Sequence, residues 1–283
     1  MTRVDRLIAY PVKSMDGADR KRARLSADAP LAGDRSYAVL EADADPETAS
    51  VGGGGGYVNG KSERRVHEVR ASYDLPQPAE ATPASVTLAT RDRGPRTFDL
   101  PGETEAMAAW LGEHYGYPVR VIRDDGGFPD DASARGPTVV SRATLAEVAS
   151  WYDGVDANEM CRRLRPNVVL ADCPAFWEDR LFADRASRVR FRVGDAGLLG
   201  VNPCQRCVVP SRDPDTGAET PGFRETFLER RRATMPEWSG GDWFDHDFRL
   251  MVNTETPAEA AGAEIAVGDE VEVLETVSVP ESA

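Results

Sequence analysis

The sequence predicts an α+β fold in two parts, with residues 1–125 read mostly as strands and turns and residues 126–283 as alternating helices and strands. Three observations predict it. Short apolar, β-branched runs bounded by Pro and Gly recur through the first part. One clear 3.6-residue period falls near its end. A polar stretch bearing Gly and Pro, Asp124 to Gly136, then separates the two parts.

In order, Val4 to Val12 reads as a strand ending near Pro11, and Tyr37 to Glu41 as a second after Gly33-Asp34-Arg35. Five consecutive glycines, Gly52 to Gly56, read as a mobile hairpin tip, because such a run holds regular structure poorly. It is no phosphate loop, since no Gly-Lys-Ser/Thr ending follows at the right spacing. Ser85 to Thr90 is a β-branched strand between Pro83 and Gly94. Thr104 is placed to cap a helix whose Met107, Trp110, Leu111 and His114 share one face, with Gly116 as its stop. Val119 to Ile122 returns to strand.

In the second part Ser141 is placed to cap a helix running to Tyr152, with Leu145 and Val148 inward. Asn167 to Ala171 and Val189 to Val193 read as strands, and Phe223 to Arg232 as a short amphipathic helix. Ile265 to Val273 reads as strand, Gly-Asp turn and strand.

Composition bounds the function. Hydrophobic residues at 41% and charged residues at 29% exclude a disordered or collagen-like chain. Uncharged apolar stretches such as Leu198 to Val201 fall far short of the ~20 residues that span a bilayer. Met1 to Asp5 leads straight into a strand with no secretory apolar core, so the expectation is a soluble, cytoplasmic protein. The net charge of −14 repels nucleic acid and anionic membranes, and neither is expected as a partner. Lys13, Lys61 and Lys21 are the only lysines; the other basic residues are arginines. An acid-rich, lysine-poor surface suits a halophilic cytosol, and a GC-rich genome that spells basic residues as Arg gives the same composition.

Four cysteines need an explanation: Cys161, Cys173, Cys204 and Cys207. Disulfide stapling is not expected in an intracellular chain of this size. Cys204-Gln205-Arg206-Cys207 admits half a zinc site completed by Cys161 and Cys173, a redox dithiol, or a single thiolate ligand to a soft metal. One buried and one incidental cysteine fit the same spacing.

The neighbouring segments narrow these readings. Tyr10-Pro11-Val12-Lys13-Ser14, Gly33-Asp34-Arg35-Ser36-Tyr37, Leu164-Arg165-Pro166-Asn167-Val168-Val169, Asn202-Pro203-Cys204-Gln205-Arg206-Cys207 with Asp213-Pro214-Asp215-Thr216-Gly217, and Val267-Gly268-Asp269-Glu270-Val271 occur in that order. Together they resemble the MOSC family across almost the whole chain, and most of all the amidoxime-reducing component and its bacterial relatives. The resemblance implies a β-rich, barrel-like N-terminal domain packed on a mixed β-barrel MOSC domain, with the molybdenum cofactor (Mo-molybdopterin) in the crevice between them. It implies reduction of a small N-hydroxylated substrate. It makes Cys207 the catalytic metal ligand and places Lys13, Ser14, Arg35, Arg165 and Asn167 on the cofactor, with Gln205 and Arg206 beside it in the cysteine motif. Ser141 would offer a helix N-terminus to a phosphate or pterin oxygen. The alternative within the family is a non-redox module that carries the cofactor or sulfur on a Cys207 persulfide.

Structural roles compete with several of these. Ser141 suffices as a helix cap, Arg165 as a partner of Asp172 or Glu178, and Arg35 as a partner of Asp34 or Asp43. His67 and His114 read as a surface and a helix-face histidine. Arg230 to Arg232 reads as a solvated helix end, with an electron-donor dock as the alternative. Met15 stands where many relatives carry Cys or another small residue, Gln205 fills the variable position of the cysteine motif, and Trp243 to Asp247 departs from the family pattern and makes His246 a candidate proton donor. No cysteine-rich ferredoxin module follows Val273, so electrons are expected from a separate donor protein of ferredoxin or flavoprotein type.

Overall fold

Alternation along the chain decides which faces become core. In β11 (Ser187–Val193) Val189, Phe191 and Val193 are buried while Arg190 and Arg192 face solvent, the period of two expected of a half-buried strand. The computed structural model describes residues 1–46, 49, 56–75, 83–128, 134–239 and 246–279. Gly52 to Gly55 of the expected hairpin tip, part of the expected linker, and Trp243 to Asp245 lie outside the described residues.

The first elements are β1 (Arg3–Ala9), β2 (Ala18–Arg20), β3 (Arg22–Arg24) and β4 (Tyr37–Glu41), then β5 (Arg70–Asp74), β6 (Ser85–Ala89), β7 (Arg96–Asp99), α1 (Thr104–Tyr115) and β8 (Val119–Arg123). After them come β9 (Val139–Ser141), α2 (Arg142–Ala149), α3 (Ala157–Leu164), β10 (Val168–Ala171), β11, and β12 (Ala196–Gln205). The chain closes with α4 (Phe223–Arg232), β13 (Arg249–Glu255), β14 (Glu264–Ala266) and β15 (Val271–Ser278). The result is α+β.

One sheet runs in the order β15-β11-β12-β13-β9-β10-β1-β2. Only β9 and β10 pair in parallel within it. β1 lies antiparallel on β10 with Leu7 opposite Val168, so the first strands of the chain complete the sheet of its second half. Val4 N donates to Asp269 O (2.9 Å) and Val271 N to Thr2 O (2.8 Å), which draws the start of β15 back to β1 and curls the sheet. Leu7, Val168, Leu170, Phe191, Leu198 and Val252 fill its inner face. A Cβ at Gly200 would collide with the Leu181 carbonyl oxygen, so only glycine lets the 3-10 turn Trp177–Leu181 close over β12.

The first half keeps its own core. β4 pairs with β8, and β5-β6-β7 form a meander. Met107, Trp110, Leu111 and Tyr115 of α1 pack with Val86, Leu88 and Phe98, as the helical period predicted. Thr104 is not the cap but the first helical residue; Glu103 holds the cap position, with its carboxylate turned back to Asp99 N (2.9 Å). Gly116, at φ 77°, ends the helix as expected.

Three other expectations change. α2 ends at Ala149 rather than Tyr152. β14 and β15 do not form a hairpin: β14 pairs with β3 and β15 with β11. Arg231, read as part of a solvated helix end, is fully buried, because its guanidinium meets Asp179 at 2.7 Å. Among the described residues no helix is long and apolar enough to cross a membrane.

Candidate functional site

A cavity of about 560 Å³ lies where the two halves meet. The turn after β1, the Arg35 loop and the segment from Asn59 to Arg70 supply one wall, while the α3–β10 junction and the end of β12 with its following turn supply the other. Among the described residues, ten Lys and Arg line it against a single carboxylate, Asp16, in a chain whose net charge is −14. Positive potential is concentrated where a ligand would sit.

Tyr10 organises one wall. Its backbone N–H donates to Asp34 Oδ1 (2.6 Å) and its hydroxyl to Pro166 O (3.1 Å), tying β1 to the α3–β10 junction. The guanidinium groups of Arg165 and Arg35 lie 4.2 Å and 5.4 Å from its ring centroid. Arg35 also pairs with the fully buried Asp34, so that predicted ion pair is present alongside its place on the cavity. Burial pushes the Asp34 carboxyl upward, opposed by the Arg35 charge. Lys13, 4% exposed, donates from Nζ to Phe128 O (3.1 Å).

Backbone strain collects at the same place. The described non-glycine residues with positive φ are Ser14, Arg35, Arg165, Asp172, Phe176 and Met251, and Ser14, Arg35, Arg165 and Met251 line the cavity. Each such residue costs on the order of 1 kcal/mol, a cost that clusters at functional sites because the surroundings enforce it. Arg165 sits at the left-handed C-cap of α3 (φ 58°), which swings its side chain across the cavity to Met15 O, 2.6 Å from Nη1. Its buried Nη2 has no partner. The alternative partners are engaged elsewhere: Asp172 pairs with Arg3 (2.9 Å), and Glu178 accepts from Thr144 (3.0 Å).

The cysteine motif lies at the end of β12, and both Cys204 and Cys207 line the cavity. Arg206 donates from Nη1 to Cys204 Sγ (3.0 Å) and from Nη2 to Leu164 O (2.9 Å), strapping this strand to the end of α3. Its buried Nε has no partner. Gln205 is exposed at the rim, opposite Arg249 in the sheet. The zinc reading fails. Cys161 and Cys173 lie outside the cavity lining, burial pushes each thiol up to about 11, and no group of three or more metal-ligating side chains is found among the described residues.

Other predicted residues go elsewhere or do something else. Ser141 is wholly buried, does not line the cavity, and accepts from Thr144 N (2.9 Å) as the cap of α2; it is a structural cap. Asn167 borders the cavity, but its amide is committed to Ile8 O, Asp34, and Thr138, so it braces Asp34. His246 does not reach the cavity, and its Nδ1 accepts from Phe248 N (3.2 Å). His67, read as a surface residue, is half-buried in the cavity wall.

Sequence reasoning missed Lys61, Arg70, Arg162, Arg163 and Arg212, all on the lining. Arg162-Arg163 abut the matched Leu164-Arg165-Pro166-Asn167 segment and were findable; nothing local marks the others. Asp213 Oδ1 gathers Asp215 N, Thr216 N and Thr216 Oγ1 (3.0, 2.8 and 2.8 Å), and the turn so built aims Asp215 at both Arg70 (2.8 Å) and Arg162 (2.7 Å). That triad joins the first half to α3.

The donor set suits a polyanionic group with an atom that accepts sulfur ligation. Unpartnered Arg165 Nη2 and Arg206 Nε supply spare donors, and the half-buried Cys207 supplies the sulfur. Comparison with known proteins gives matches over both halves. The MOSC domain model matches residues 135–272, and the MOSC N-terminal beta barrel domain model matches residues 1–114. The chain is similar to mitochondrial amidoxime-reducing component 1 of Danio rerio, 28% identical over 124 residues, 44% of this chain and 34% of that protein. It is also similar to the Homo sapiens protein of that name, 32% identical over 79 residues, 28% of this chain and 20% of that one. These matches span about a third and a fifth of the relatives' length.

Proposed function

We propose, from the premise that the chain belongs to the MOSC-domain family, that it binds the molybdenum cofactor in the cation-lined cavity and reduces N-hydroxylated compounds with electrons from a separate donor protein. One observation carries the reading: cations from both halves converge on the hollow that also holds the Cys207 thiol. When bound, the group supplies a two-electron redox centre, which matches the conversion of N–OH, two electrons and two protons into N–H and water.

The chain's own residues do the rest. Lys13, Ser14, Arg35 and Arg165 would hold a terminal phosphate, two guanidinium groups being fixed against Tyr10 so that little side-chain freedom is lost on binding. Cys207 serves as the thiolate ligand. Arg206 fixes the cysteine turn against α3 through Leu164 O and keeps the motif in register with the cavity. The Asp215 link to Arg70 and Arg162 holds the two walls together.

Cys207→Ala tests the reading. Molybdenum content and benzamidoxime reduction are both expected to fall below detection. Unchanged values for both would overturn it, and a cofactor lost on gel filtration from an inactive native protein would point to a carrier.

A further inference from the structure

The cations of the cavity are not equal. Arg35 is answered by Asp34, Arg163 by Glu159, and Arg70 and Arg162 by Asp215. In the reading above, Arg165 serves the cofactor and Arg206 the cysteine turn. Lys13 serves the cofactor there too, and of the other lining cations, Lys61, Arg185 and Arg212, it is Lys61 and Arg212 that touch each other.

These two come from opposite halves and meet on one wall, where neither has a carboxylate partner among the described residues. Arg212 reaches only carbonyl oxygens at the limit of hydrogen bonding, Gly217 O at 3.4 Å and Lys61 O at 3.5 Å, and its buried Nε has no partner. The neighbouring Asp213 spends Oδ1 on its own turn. His67 adds no charge at neutral pH: its Nε2–H donates to Gly60 O (3.2 Å), and burial, aided by Arg212 and Arg165, holds the ring below its usual range. Cations on one wall that no carboxylate meets in a hydrogen bond or ion pair gain from an anion that arrives with the ligand.

We propose that Lys61 and Arg212 form an anion subsite, separate from the cofactor's phosphate site, that takes a carboxylate or phosphate carried by the substrate. This rests on the function proposed above and narrows it to N-hydroxylated compounds bearing an anionic group.

The test uses the purified full chain and two unreactive probes, benzoate and neutral benzamide, in calorimetry. Benzoate is expected to bind the more tightly, and Lys61→Gln/Arg212→Gln to weaken it by about tenfold or more. Lys61→Arg/Arg212→Lys retains most of that binding and controls for folding. Molybdenum content and the mass of the extracted pterin stay unchanged. An unaltered benzoate affinity overturns the subsite. So does loss of molybdenum in the double variant or a nucleotide on the pterin, because the wall then serves the cofactor's own phosphates. In turnover, 4-carboxybenzamidoxime should show a lower KM than benzamidoxime, a preference the double variant removes. Absence of turnover with both compounds refutes the proposed reaction and leaves benzoate binding to decide the subsite.

Discussion

The cation-lined cavity and the polar cluster beneath α2 both hold charge away from bulk water, and they differ in what meets the buried guanidinium. In the cluster, Arg231 is fully buried and answered: Nη2 donates to Asp179 (2.7 Å) and Nε to Arg249 O (3.1 Å). Beside it Glu178 accepts through Oε2 from Thr144 and from Ser141 N (3.0 and 3.2 Å), while Glu178 Oε1 and Asp179 Oδ2 have no hydrogen-bond partner among the described residues. In the cavity, Arg165 keeps a donor without a partner, and so do Arg206 and Arg212. An answered charge in the interior is architecture; an unanswered donor bordering a hollow awaits a ligand.

The strongest way to break this contrast is to remove Arg231. Arg231→Ala strands Asp179 in the core, and unfolding free energy should fall by about 3–5 kcal/mol, read from chemical denaturation. A loss below about 1 kcal/mol would show that the pair contributes little beyond the surface norm.

Glu178 sharpens it through pH. Burial, with neighbouring Asp179 adding to it, pushes the Glu178 carboxyl up to about 7. A folded value above the unfolded one means the contribution is full below the ordinary carboxylate pKa and disappears as pH rises through 7. Between pH 4 and pH 8 the native protein should lose about 2–3 kcal/mol from this group, and Glu178→Gln should remove that slope. Parallel stability profiles for the two proteins would refute it.

Arg165 is the counterpart in the cavity. Arg165→Gln removes a guanidinium that holds Met15 O and covers Tyr10, yet its main effect should be on the ligand. Cofactor dissociation should rise by about ten- to a hundredfold, measured as molybdenum lost during dialysis, with unfolding free energy changed by only about 1 kcal/mol. A larger loss of stability with normal metal retention would place Arg165 with Arg231.

Legibility in the sequence followed the same divide. Lys13, Arg35, Arg165 and Cys207 stand in short ordered segments, and the fold brings all four to one hollow. Strand-rich and alternating halves were readable from periodicity, and α4 was located to the residue. Long-range pairing was not. Nothing in Arg3–Ala9 says that it completes the sheet of the other half, and nothing near Arg70 or Lys61 says that a turn 140 or more residues later will face it. Arg231 was misread because three consecutive arginines on a helix look solvated until a carboxylate from another element, Asp179, is found beneath one of them.

Ser141 shows why the contrast needs geometry. A serine before a helix has the same appearance in sequence whether its hydroxyl satisfies the helix or the helix N-terminus greets an anion. Here Oγ lies 2.9 Å from Thr144 N and 2.8 Å from Thr144 Oγ1, while the Glu178 carboxyl accepts from Ser141 N and occupies the space an anion would need at that helix end. Ser141→Ala should therefore cost about 1 kcal/mol of stability, the usual value of an N-cap, and leave molybdenum content unchanged. A normal denaturation midpoint combined with depleted metal would restore Ser141 to the ligand site and undo its assignment to the scaffold.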